Sequence, residues 1–412
     1  MVIVGGGFGG VYAAKHLLPL IKKGNIGLTI ISRNNYFLFT PLLHEVATGG
    51  LSPNSVAESL QEVFREAGAN IIDAEVTEID REKQTVRFGN RTLSYDYLVS
   101  ATGAETEFHG VAGAREYALP LKSLLDAVRI RGRIIEMFEK AARSGEPKEK
   151  KELLSFAVAG GGPTGVEFTA ELAEFACETL SAYFAGSGLK RSDVSITLAS
   201  AATELLGELH PAFRRKAAEA LRRKGVKLKL GTRIKEVTPF EMILQNEERI
   251  PELTVFWLAG VRATLPRFIQ TPAFHPSGRV TVDECLRLSG EANVFVLGDA
   301  AAALSSGNAS WPLPMLAQVA AEQGKIVAKN IGASIVGSAL SPFVYRSKGM
   351  LISLGQWKAL GEVFGVRISG ALAWFIWRTI YLFKFLSWRK RFKIASEWTA
   401  RLFYPRDITK ID

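Results

Sequence analysis

The sequence is poor in the residues that staple a fold or hold a metal. Only two cysteines stand among its 412 residues, Cys177 and Cys285, 108 positions apart. That excludes a disulfide framework, a Cys-x-x-Cys redox centre and any cysteine-rich zinc site. The five histidines show no metal-ligand spacing, so His44, His109 and the others read as structural or surface positions, and no metal is expected. No Ser-His-Asp constellation stands out. Long apolar runs are missing from the tail, where the longest uncharged stretch, Ile368 to Trp377, has ten residues; a membrane-spanning helix needs ~20. Met1-Val2-Ile3-Val4 leads straight into glycines, without the basic start of a signal segment. An excess of one charge is absent until late: the first 345 residues hold 38 basic and 37 acidic side chains.

What is present is globular. Apolar residues make up 47% and charged residues 22%, which disfavours a disordered, collagenous or simple coiled-coil chain. The length corresponds to roughly two to four domains. The imbalance of charge sits in the tail, where Arg346 to Asp412 carries 13 basic and 4 acidic residues with 13 aromatics, including five of the seven tryptophans. Basic charge interleaved with Trp, Phe and Leu favours an anionic membrane surface over nucleic acid; the plainer alternative is a basic terminal domain that packs as core. Gly370 to Trp388 is nearly all apolar but is interrupted by Arg378 and Lys384. It fits a monotopic surface helix better than a spanning one.

The chemistry is carried by glycine. Val2-Ile3-Val4 precedes Gly5-x-Gly7-x-x-Gly10 and a helical run, and Leu28 to Ile31 follows as the next strand. The pattern returns 155 residues later, with Phe156 to Ala159, Gly160-x-Gly162-x-x-Gly165, Val166 to Leu172 and then Val194 to Leu198. In such a motif one glycine makes the turn, one lets backbone approach a pyrophosphate, and one permits close helix–strand packing. One motif is a weak signal, but two in strand–turn–helix context imply two dinucleotide sites, one for a flavin and one for a nicotinamide dinucleotide. Tyr97 to Gly103, Thr254 to Gly260 and Asn293 to Asp299 are further strand-to-turn units. Glu146 to Glu152 reads as a charged loop, and the chain is expected to return to the first domain around residue 255.

Where an acid usually bonds the nucleotide ribose, the second strands end in Ser32 and Ser200. At the second site nothing then repels a 2′-phosphate, so NADPH stands beside NADH as a donor; alternatively a nearby backbone or hydroxyl group serves the ribose. Asp299 stands at the mouth of a strand, where it either orients FAD or merely caps a turn. Glu167, two residues past Gly165, is expected in the first turn of its helix. There it serves either the helix dipole or proton relay beside the nicotinamide.

Several longer segments carry a specific resemblance. They are Asn34 to Gly49, with Thr40-Pro41-Leu42-Leu43-His44-Glu45; Ala101-Thr102-Gly103; Gly160 to Glu171; Trp257 to Ala263; Gly298-Asp299-Ala300; and Pro314 to Gly324, with its Ala-Gln-x-Ala-x-x-Gln-Gly pattern. Together with Gly370 to Trp374 they make the chain resemble the type II NADH:quinone oxidoreductases, single-subunit respiratory NADH dehydrogenases that do not pump protons. The resemblance implies an α/β fold of two Rossmann-like dinucleotide-binding domains plus a C-terminal membrane-associating helical module. The expected boundaries are 1–118 and 253–340 for FAD, 119–252 for NAD(P)H and 341–412 for the membrane module. By the same resemblance Gly5, Gly7 and Gly10 hold the FAD pyrophosphate, with Phe8, Ser32, Arg33, Thr40, Pro41, Val76, Thr102, Gly103 and Asp299 lining the FAD site. Ala317 and Gln318 lie beside the isoalloxazine where quinone arrives. Gly160, Gly162, Thr164, Gly165, Ser200, Ala259 and Gly260 take NADH or NADPH, and Glu167 lies near the flavin–nicotinamide contact. Glu167 and Gln318 are the candidate catalytic residues.

The implied partners are a membrane quinone and the membrane surface, on the cytoplasmic face of the inner membrane; no nucleic acid is expected, and homodimerisation is left open. A sulfide:quinone oxidoreductase or a disulfide reductase would need a cysteine centre beside the flavin. A nucleotide-binding sensor or scaffold with little turnover is the rival from another class.

Overall fold

The computed structural model describes residues 1–24, 26–251, 254–304 and 311–410. The chain divides into two compact units, one of Met1–Leu38, Ala57–Glu105 and Val261–Arg346, the other of Phe39–Val56, Thr106–Gly260 and Ser347–Asp412.

In the first unit the apolar runs form a five-stranded parallel sheet in the order Val294–Val296, Leu98–Ser100, Val2–Val4, Thr29–Ser32, Asn70–Asp73. Val2 to Val4 are buried, as a parallel strand covered on both faces must be. The order runs outward in both directions from Val2–Val4, so the glycine turn after that strand lies at a topological switch point, where open α/β sheets bind ligands. Helix Phe8–Lys22 packs against helix Ala317–Ile335. At their crossing a Cβ on Gly324 would stand 2.6 Å from the carbonyl oxygen of Gly9, so the Gln-Gly that ends the Ala-Gln-x-Ala-x-x-Gln-Gly pattern is partly a packing device. A small antiparallel sheet, Val76–Asp80, Thr85–Phe88 and Arg91–Ser94, closes the core around Val4, Ile31, Val86 and Leu98.

The second unit repeats the plan with the parallel order Ala118–Pro120, Thr254–Trp257, Ser155–Ala159, Ser195–Ser200, Val226–Leu230. Thr254–Trp257 pairs with Ser155–Ala159 in this sheet, so the return to the first unit falls at Val261 instead of around residue 255. Ala118–Pro120 likewise belongs to this sheet and not to the first. The charged stretch expected as a loop is a helix, Pro147–Leu153. Proline at its start and a Lys148–Glu152 pair four residues apart, 3.8 Å between charged atoms, suit a short exposed helix.

Residues 347–412 pack as part of this unit. An antiparallel sheet of Gly349–Ser353, Ala359–Val363 and Val366–Gly370 leads into two helices, Ala371–Lys384 and Trp388–Ala400. The single surface helix expected over Gly370 to Trp388 is therefore broken at Phe385–Ser387. Arg391 takes up the loose carbonyls at the break, donating to Phe385 O from Nε at 3.0 Å and from Nη2 at 2.7 Å, which meets the usual need at a helix C-terminus. The Arg378 guanidinium lies over Trp374 at 3.7 Å and over Trp398 at 4.9 Å, joining the two helices. No helix among the described residues is long and apolar enough to cross a membrane.

Candidate dinucleotide sites and a buried ionic cluster

The two glycine turns are near copies. Gly5 has φ +113° and Gly160 φ +122°, a region that side chains rarely tolerate. A Cβ on Gly10 would stand 2.0 Å from Gly5 O, and one on Gly165 would stand 2.0 Å from Gly160 O, so each third glycine is required by the close approach of helix to turn. Nothing lies within 4 Å of where a Cβ on Gly7 or Gly162 would stand. Those two positions face open space at the starts of helices Phe8–Lys22 and Pro163–Glu174. First-turn amides and the positive end of the helix dipole suit a phosphate there. A dinucleotide pyrophosphate fits both turns.

The serines are equivalent too. Ser32 Oγ stands 2.7 Å from where a Cβ on Gly6 would lie, and Ser200 Oγ has the same distance to Gly161. Each hydroxyl accepts from the backbone two residues on, at 3.4 Å from Asn34 N–H and 3.2 Å from Ala202 N–H. Each therefore stands at a strand end beside its own glycine turn. Arg33 points to solvent and pairs with Glu75 at 3.6 Å.

The remaining first-unit candidates gather at the carboxyl ends of the same sheet. Thr102 and Gly103 follow Leu98–Ser100, and the Thr102 hydroxyl donates to Thr264 O. Asp299 sits in the turn Gly298–Ala300 after Val294–Val296. Val76 begins a strand just past Asn70–Asp73, and Ala317 and Gln318 open helix Ala317–Ile335. Thr40 and Pro41, expected among the FAD residues, form a short turn that belongs to the second unit. In that unit Thr164 is the second residue of the nucleotide helix, which Pro163 opens after Gly162. Ala259 and Gly260 lie in the turn just past strand Thr254–Trp257, where His109 packs: its Nε2 is 2.9 Å from Ala259 O.

Glu167 is not in the first turn. Helix Pro163–Glu174 starts early enough to place it in the second turn, buried and away from the helix end. Its Oε1 accepts from Ser353 N–H at 3.0 Å. Burial pushes its pKa up to about 8, the Ser353 amide and Trp377 pull it down, and the negative charges of Glu171 and Glu45 push it up further. The carboxyl is thus mostly protonated at neutral pH.

The same helix carries a cluster that composition alone did not reveal. Glu171 and Glu174, four and seven residues past Glu167, lie on its buried side with Glu45 from helix Leu43–Ala47. Two arginines from the tail enter between them. Arg401 contacts Glu45 at 3.1 Å and Glu171 at 2.8 Å, while Arg406 contacts Glu171 at 2.7 Å and Glu174 at 2.6 Å. Lys224 adds a 2.6 Å contact to Glu174, and Trp398 Nε1–H donates to Glu45 at 2.9 Å. Burial would raise the Glu171 carboxyl, but Arg406 and Arg401 overcome it and hold it well below the usual carboxylate range. His44, beside them, is driven towards its neutral form chiefly by burial. The signal for this cluster was Glu167, Glu171 and Glu174 recurring at helical spacing in an otherwise apolar helix.

Two parallel sheets, each with a glycine cradle at its switch point, define a flavin- and nicotinamide-dependent oxidoreductase fold. The family model for pyridine nucleotide-disulphide oxidoreductases matches residues 1–324, and the one for the NDH2 C-terminal domain matches residues 347–407. Among curated relatives, the type II NADH:quinone oxidoreductase Ndh of Mycobacterium tuberculosis is 32% identical, over 98% of this chain and 88% of its own length. The type II NADH:quinone oxidoreductase of Staphylococcus saprophyticus is 30% identical over 92% and 93%. The internal alternative NAD(P)H-ubiquinone oxidoreductase A1 of Arabidopsis thaliana is 33% identical over 100% and 85%. The chain belongs to the type II NADH:quinone oxidoreductases, flavoenzymes that move electrons from NADH to quinone. Its fold matches that of NDH2 from Plasmodium falciparum in complex with NADH, with TM-score 0.89 at 22% identity over 99% of each chain. The sulfide:quinone oxidoreductase of Aquifex aeolicus shares the fold less closely, with TM-score 0.73 at 21% identity over 98% of this chain and 95% of its own. Here both cysteines are free and buried.

Proposed function

We propose that FAD binds at the Gly5–Gly10 cradle and NADH at the Gly160–Gly165 cradle, and that the chain passes two electrons from NADH to a membrane quinone. The observation that carries this reading is the duplication of an open, glycine-walled helix start on two separate parallel sheets. When bound, FAD supplies the redox chemistry, accepting a hydride from NADH and yielding two electrons to quinone. The chain's own work is to hold the pyrophosphates on Gly7 and Gly162, fix the riboses beside Ser32 and Ser200, and exclude water. In the first unit Thr102, Gly103 and Asp299 complete the FAD contacts and Ala317 and Gln318 position the quinone head group; in the second unit the buried Glu167 holds a proton for quinone reduction.

The anaerobic flavin spectrum tests the reading. NADH is expected to bleach the flavin and a short-chain quinone to restore it. No bleaching by NADH or NADPH in protein that contains FAD would sink the reading, and slow recovery would favour a sensor. Because Ser200 repels no 2′-phosphate, Ser200→Glu is expected to slow bleaching by NADPH more than by NADH. Gly162→Asp places a carboxylate in the open phosphate space. It is expected to raise the KM for NADH by about 100-fold or more while FAD content stays at wild-type level, from the repulsion of like charges a few Å apart.

The membrane is met by the C-terminal helices. Phe383, Trp388 and Phe392 are all more than 60% exposed, among Arg389, Lys390 and Lys393. Such a surface suits the cytoplasmic face of an inner membrane rich in anionic lipid. Replacing the three aromatics by serine is expected to abolish co-sedimentation of the full chain with anionic liposomes while short-chain quinone turnover persists. Undiminished co-sedimentation would remove these helices from the anchor.

A further inference from the structure

Asp299, in the turn taken above as part of the FAD site, follows a peptide gripped from both sides by buried side chains. Gly298 N–H donates to Gln323 Oε1 at 2.6 Å. On the other side Gly298 O accepts from Arg279 Nη2 at 3.4 Å, and Arg279 Nη1 donates to Leu313 O at 2.6 Å. Arg279 is 4% exposed and Gln323 is 0% exposed. An arginine so deeply buried is costly unless its charge is answered. Burial lowers its pKa, and the opposing influence is the negative charge of Asp299. Two buried donors at this turn, Arg279 Nε–H and Gln323 Nε2–H, have no hydrogen-bond partner among the described residues, which is uncommon in folded proteins.

We propose that Arg279 is a positioning residue for FAD: with Gln323 it clamps the backbone at Gly298, and its buried positive charge fixes Asp299 in place as the acceptor for the cofactor's hydroxyl groups. The inference rests on the assignment of FAD to the first unit. Neither the glycine motifs nor the Ala-Gln pattern points to Arg279, since it lies on the segment before the Asp299 strand and acts through a backbone carbonyl. A rigid acceptor costs less ordering entropy when the cofactor arrives than a mobile one. The two unpartnered donors beside the turn suit the oxygen-rich ribityl and phosphate part of FAD. Lysine preserves the charge but not the fork of donors, so the two contributions separate by substitution.

The test is equilibrium release of FAD from the full-length chain on dilution, followed by recovery of free-FAD fluorescence. Arg279→Met is expected to raise the FAD Kd at least tenfold, and Arg279→Lys to stay within threefold of wild type. In an Asp299→Asn background, Arg279→Met is expected to add less than threefold. If Arg279→Met does not fold, Arg279→Gln carries the same cycle. A neutral Arg279 variant within threefold of wild type overturns the proposal. So does one that is equally damaging with and without Asp299, or a lysine variant as weak as the methionine one. Wild-type protein that binds no FAD overturns the cofactor assignment itself, and this is seen before any variant is made.

Discussion

Arg406→Met is expected to lower the melting temperature of the protein by about 6–20 °C. The arginine is 8% exposed, its guanidinium contacts Glu171 and Glu174, and Nη1 also donates to the Thr48 hydroxyl at 3.1 Å. Removing one partner of a buried ion pair typically costs about 3–5 kcal/mol, because the other charge stays buried and uncompensated. A unit of this size loses about 2–4 °C per kcal/mol. Much of that cost belongs to the stranded carboxylates. The double variant Arg406→Met, Glu174→Leu is therefore expected to melt above the single variant, although it removes more polar groups and leaves Lys224 to solvent. Thermal unfolding followed by circular dichroism measures both. A single variant melting within 2 °C of wild type, or a double variant melting well below the single, would show that the cluster does not hold the tail in place. The effect is expected to persist in high salt, which screens exposed pairs far more than buried ones.

This cluster marks where the sequence stops being legible. The parallel sheets and their cradles could be read because their rules are local. A buried strand is a short apolar run, the turn after it needs glycine, and the helix after that needs its amides free, all within about a dozen residues. The pairing of Thr254–Trp257 with Ser155–Ala159 is not local; nothing in Thr-Val-Phe-Trp says which of two sheets it joins, so the sequence alone puts the return to the first unit several residues before Val261. Counting from Gly165 puts Glu167 one turn too near the helix start, because Pro163 opens the helix. Arg401 and Arg406 looked like two more charges of a basic, membrane-facing tail. Only the fold shows that both point inward, to three carboxylates up to about 360 residues away in sequence. The tail therefore combines an outer basic and aromatic surface with an inner ionic anchor, two uses of the same composition that residue counts do not separate.

The second large effect is expected at Glu167. Its carboxyl titrates in the folded protein at about 8, against about 4.3 for an exposed glutamate. Between those values the folded chain holds a proton that the unfolded chain has lost, so this residue lowers stability progressively as pH rises from about 4.3 to about 8, and the penalty is complete above that. Glu167→Gln removes the titration. The variant is expected to gain stability relative to wild type as pH goes from 5 to 9, by an amount on the order of a few kcal/mol, and the two are expected to converge in acid. The catalytic consequence has the same origin. A carboxyl still protonated near neutrality can give up its proton when quinone takes electrons, and glutamine of similar shape cannot. Quinone-driven reoxidation in Glu167→Gln is expected to slow by about 10²-fold or more, with the rate of flavin bleaching by NADH much less affected. Wild-type turnover is expected to fall away above pH 8, and the residual activity of the variant to lack that alkaline limb. The neighbouring charges sharpen the test. Glu171 and Glu45 help keep Glu167 protonated, so a Glu171→Gln variant is expected to move the alkaline limb of turnover to lower pH. Removing that carboxylate also releases Arg401 and Arg406 from it, which adds positive charge beside the site. An alkaline limb that stays in place in both variants would assign the proton to another group.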